Sequence, residues 1–86
     1  MTARFSPAVR LRRRLMRANF GEIIQNCNSA VGWHPDDTAD ILIAVGGDKA
    51  RFSAAIDKWL RLDNRPGASA PNGAASLLKF ITEGGL

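Results

Sequence analysis

Arg10, Arg13, Arg14 and Arg17 recur every three or four residues, a spacing that sets four guanidiniums along one side of a helix. A guanidinium is a planar fork that matches phosphate or carboxylate oxygens two at a time, so such a row can meet successive phosphates. Arg4 and Arg12 raise the count within residues 1–21 to six arginines, and no Asp or Glu falls there. The rest of the chain holds six Lys/Arg against eight Asp/Glu, so the net charge of +4 joins a basic block to a slightly acidic body. That polarity points to an acidic partner: double-stranded DNA first, an acidic protein surface second. Contact with four or five phosphates predicts a log K versus log[salt] slope of about −4.

Few other residues offer chemistry. Gly46-Gly47-Asp48-Lys49 lacks the Gly, four residues, Gly-Lys-Ser/Thr spacing of a phosphate loop and reads as helix punctuation. His34, between Trp33 and Pro35, fits no metal or triad template. With one His and one Cys the chain cannot build a zinc site alone, and Cys27 has no internal disulfide partner. Cys27 reads as a small core residue, and Trp33 as core in preference to an exposed anchor. Asp36, Asp37 and Asp40 lie at a helix start, where carboxylates act as caps and dipole partners. There is no nucleophile–base pair, carboxylate pair or cofactor loop, so the expectation is a non-enzyme with no catalytic residue, cofactor or metal.

The elements that must hold these residues are helices. Ser6-Pro7 starts the first, over 7–19, and Ala8, Leu11, Leu15 and Ala18 fall at helical spacing as the side expected to face the body. The apolar stripe shifts at Asn19-Phe20-Gly21, which predicts a second helix over 22–30 or a bend there. After Gly32-Trp33-His34-Pro35, Asp36 or Asp37 is expected to cap a third helix. Ala39 to Val45 is apolar almost all round, as in a helix buried among others. Gly46-Gly47 stops it, and Asp48 caps a fourth helix over 49–62 with Phe52, Ala55, Ile56 and Trp59 inward. Residues 63–73 form a loop, and Asn72 caps a last helix over 74–83. No stretch alternates with period two. The expectation is a single all-α domain spanning 1–86, a compact bundle of four to five short helices.

Size and hydropathy add little more. The longest apolar run, Ile41 to Val45, is far short of a membrane span, so a soluble, cytoplasmic protein without membrane contact is expected. An Arg-rich, acid-free start also occurs in mitochondrial transit peptides, but its unbroken passage into a helical pattern favours its place in the fold.

A buried helix, a Gly-Gly turn and an amphipathic helix with small and basic outer residues have the layout of a helix-turn-helix over 36–62. Ile56-Asp57-Lys58-Trp59, then Arg61, Arg65-Pro66 and Pro71-Asn72-Gly73-Ala74-Ala75-Ser76-Leu77-Leu78, resembles repressor-type helix-turn-helix DNA-binding domains over about residues 36–82. The Gly46-Gly47 turn lies about three residues farther from Trp59 than that pattern has it, and the loop after Asp63 is longer. In the helix-turn-helix layout the second helix would present Lys49, Arg51, Ser53 and Ala54 to base edges, with Lys58 and Arg61 against backbone. The resemblance implies that Ile56 and Trp59 are core and that the turn from Arg61 to Arg65 approaches phosphate. The resulting expectation is a small DNA-binding transcriptional regulator acting by site occupancy, as a homodimer. The competing expectation is an inhibitor of the anti-CRISPR kind, encoded by a phage or mobile element. It would block a host nucleic-acid-processing protein by lodging its arginines in an acidic groove.

Overall fold

The computed structural model describes residues 7–62 and 73–85. All regular structure among them is helical: α1 (Pro7–Asn19), α2 (Gly21–Val31), α3 (Pro35–Ala44), α4 (Lys49–Leu60) and α5 (Gly73–Thr82). The all-α reading holds, with five helices and ends within one or two residues of those expected. Of the loop expected over 63–73, residues 63–72, with Arg65 and the Asn72 cap, lie outside the described residues, and Gly73 opens α5 instead of ending the loop.

α3 is the hub. It touches α1, α2, α4 and α5, whereas α1 and α4 do not touch each other. Its Ala39, Ile41 and Leu42, with Val45 just beyond, have no solvent exposure, as an all-round apolar helix requires. Ile24, Trp33, Phe52, Ala55, Trp59, Ala74, Leu77 and Ile81 complete one core cluster around it. Trp33 is thus a core residue. It meets Trp59 edge to face at a centroid distance of 6.3 Å and an interplanar angle of 66°, a geometry that suits the ring quadrupoles. The Trp59 indole N–H donates to Ser76 Oγ at 3.2 Å, tying α4 to α5 without a stranded donor. Half-buried Cys27 packs on the rim of this core, where burial raises its thiol pKa and keeps it protonated at neutral pH.

The helix junctions correct two local expectations. Gly21, expected in the break before a second helix over 22–30, opens α2 instead, and the break falls at Phe20 (φ −128°, ψ 33°). The cap of α3 is His34, not Asp36 or Asp37: its Nδ1 accepts from the Asp36 N–H at 3.0 Å, and Pro35 takes the first helical position. Asp36 and Asp37 occupy the first turn instead, where their charge complements the positive end of the helix dipole. Between α3 and α4 both Gly46 (φ +69°) and Gly47 (φ +71°) are left-handed, a pair of conformations that L side chains resist. Asp48 caps α4 as expected, its Oδ1 accepting from Ala50 N–H at 2.9 Å and Arg51 N–H at 3.2 Å.

One core group is mismatched. Thr38 is fully buried and its Oγ1 makes no hydrogen bond. A buried hydroxyl without a partner costs about 1–3 kcal/mol of desolvation. Thr38→Val keeps the shape and removes the orphan, so thermal unfolding should show it stabilised by about 1 kcal/mol. A loss of stability would mean that the hydroxyl has a partner after all.

Candidate nucleic-acid interface

α1 carries no carboxylate and five arginines, Arg10, Arg12, Arg13, Arg14 and Arg17. Its orientation is the reverse of the expected one. The side turned to the body holds Val9, Arg13 and Met16, followed by Phe20, a set spaced i, i+4, i+7 and i+11. The expected inward side is outward: Leu11 and Leu15 are 54% and 48% exposed, and Ala8 and Ala18 are exposed beside them.

Arg13 explains how a charged residue comes to be inside. Its Nε and Nη2 donate to Asp40 Oδ1 and Oδ2 at 2.7 and 2.8 Å, a bidentate pair that closes α1 onto α3. The hydrogen bond to Asp40 raises the Arg13 pKa, and the burial that opposes this is outweighed. With its charge matched, the aliphatic stem of Arg13 serves as core. Arg13 therefore leaves the row of phosphate-binding candidates, and Asp40 is its counter-ion and no helix-start carboxylate. One turn on, Arg17 Nη1 stands 3.8 Å from Asp36 Oδ1, a loose and exposed pair that leaves the guanidinium open to other partners.

The surviving arginines flank the crest of α1. Arg10, Arg14 and Arg17 line one side and are exposed. Exposed Arg12 lies on the other side, where it borders a cleft of about 390 Å³ floored by Val9, Ile43 and Leu78.

α4 forms a second basic surface. Phe52, Ala55 and Trp59 point inward, and Lys49, Ala50, Arg51, Ser53, Ala54, Asp57, Lys58 and Arg61 are all exposed. At helical spacing Ala50, Ala54, Asp57 and Arg61 make the outermost line. Arg51 and Lys58 run along one edge, Lys49 and Ser53 along the other. The first two turns of that line carry only small side chains, so another molecule can approach the backbone closely. Because the Asp48 carboxylate already accepts the amides of Ala50 and Arg51, an anion near this end would be met by side chains. Lys49 Nζ sits 5.8 Å from the centre of the Phe20 ring, linking the start of α4 to the corner between α1 and α2. Lys58 Nζ donates to the Gly85 carbonyl at 3.4 Å.

Among the described residues the cations singled out from the sequence thus fall into two sets, on α1 and at α4, with α3 between the helices. Sequence reasoning missed the roles of Asp40, His34 and the outward leucines. The signal for Asp40 was present: a lone acid inside an apolar stretch destined for burial needs a cation. Among the described residues no helix is long and apolar enough to cross a membrane, and no group of three or more His, Cys, Asp or Glu could hold a metal ion. No family model, curated protein or solved structure matches the chain.

Proposed function

We propose that the protein is a small DNA-binding module that lays the outer face of α4 into the major groove. The observation carrying this is the make-up of that face: small residues at Ala50, Ser53 and Ala54, framed by Lys49, Arg51, Lys58 and Arg61, all exposed. Small side chains let a helix sink between the phosphate walls, and cations at its edges neutralise them. The support is of the helix-turn-helix kind: α3 is buried, the Gly46-Gly47 turn is tight, and the Trp59–Ser76 bond fixes α4 on α5. Asp57, the carboxylate on the outermost line, can accept from a cytosine amino group and so adds sequence preference without affinity. One helix reads only a few base pairs, so two copies on neighbouring half-sites would give tight specific binding.

Titration of a labelled random-sequence duplex, followed by fluorescence anisotropy at several salt concentrations, tests the reading. Four phosphate-facing cations predict a log K versus log[salt] slope of about −4. Absence of binding at the lowest salt would overturn it.

A further inference from the structure

α1 is built inside out. A charged residue, Arg13, lies inward and needs Asp40 to be tolerated, while Leu11 and Leu15 stand in water. Single exposed leucines are ordinary. Here two on successive turns join Ala8 and Ala18 in one unbroken crest, and no polar residue interrupts it. Arg10, Arg14 and Arg17 run along one side of the crest and Arg12 along the other. Phosphates would use the arginines and leave the leucines idle.

We infer that this crest is a docking ridge for a protein segment that is apolar along its centre and acidic along both edges. Charge complementarity identifies that occupant. With no carboxylate on α1, the four exposed guanidiniums have, among the described residues, one loose pair, Arg17–Asp36, and Asp37 and Asp40 in the cleft that Arg12 borders, so the forks remain open to acids across an interface. A second copy meeting ridge to ridge would bring eight guanidiniums to one seam with no carboxylate from either α1 and only the loosely held Asp36 pair near them. A bilayer fits less well, because the inner face of α1 is committed to α3 and the crest offers two large apolar side chains and no aromatic anchor. An amphipathic acidic helix meets all the conditions, with leucines at i, i+3, i+4 and i+7 over the crest and glutamates over the arginines.

The probe is a synthetic helical peptide of that pattern, compared with a peptide of equal charge whose leucines are replaced by glutamine. Phosphatidylserine/phosphatidylcholine vesicles and duplex DNA are run in parallel. Calorimetric titration should show the Leu/Glu peptide binding about ten-fold or more tightly than its Gln/Glu counterpart. The double variant Leu11→Gln/Leu15→Gln should make the two peptides equal. Both changes are on the surface and keep helix propensity, so circular dichroism should be unaltered. The same variant should bind duplex DNA as the parent does, which separates this proposal from the role given to α4. Equal affinity for the two peptides would overturn the inference, as would tighter binding to vesicles than to the Leu/Glu peptide. So would sedimentation showing a dimer that the double variant abolishes.

Discussion

Replacing Lys49, Arg51, Lys58 and Arg61 together by alanine is expected to weaken binding to duplex DNA by at least about a hundred-fold at low salt. The slope against log[salt] should collapse towards zero along with the affinity. Three cations at the edges of α4 and Arg61 at the end of its outermost line release about four counterions, and at low salt each release is worth roughly a factor of ten. The parallel variant Arg10→Ala, Arg12→Ala, Arg14→Ala and Arg17→Ala on α1 should change affinity by less than about ten-fold, acting only through the long-range field. All eight side chains are exposed, so neither variant should disturb the core. An equal loss in both would mean that DNA spans the two helices; a loss only in the α1 variant would move the contact surface there.

The largest effect on stability is expected at Asp40. Asp40→Ala leaves Arg13 charged, 8% exposed and without its bidentate partner. Removing one member of a buried pair costs about 3–5 kcal/mol, and the partial exposure of Asp40 (20% for its side chain) brings the expectation down to about 2–4 kcal/mol. A domain of this size shifts about 4–8 °C in Tm per kcal/mol, so a fall of roughly 8–30 °C should be seen by calorimetry. The double variant Arg13→Met/Asp40→Leu should recover most of that loss, because the cost lies in the stranded charge more than in the missing attraction. A single variant within about 0.5 kcal/mol of the parent would mean the pair behaves as a surface ion pair.

The same pair shows why α1 was only half legible. Its limits, Pro7 and Asn19, are local: a proline that suits the first turn and a residue where the apolar stripe shifts. Its orientation is not local. Periodicity ranks Leu11 and Leu15 above Val9, Arg13 and Met16 for burial, and only a carboxylate 27 residues away reverses that ranking. α3 and α4 were readable because their burial follows from apolarity alone, and the turn between them because left-handed backbone calls for glycine. The capping role of His34 was missed for a different reason. Asp outranks His as a cap by propensity, but Pro35 takes the first helical position and so makes the residue before it the cap. On α4 the outward residues followed directly once the inward stripe of Phe52, Ala55 and Trp59 was known.

The claim that α4 is the DNA-reading surface is tested most directly by following backbone amide shifts of the isotopically labelled protein as duplex DNA is added. The largest perturbations are expected at Ala50, Arg51, Ser53, Ala54, Asp57 and Arg61, with the Leu11–Leu15 crest of α1 little changed. Perturbations centred on α1 with α4 silent, or none anywhere at low salt, would contradict it.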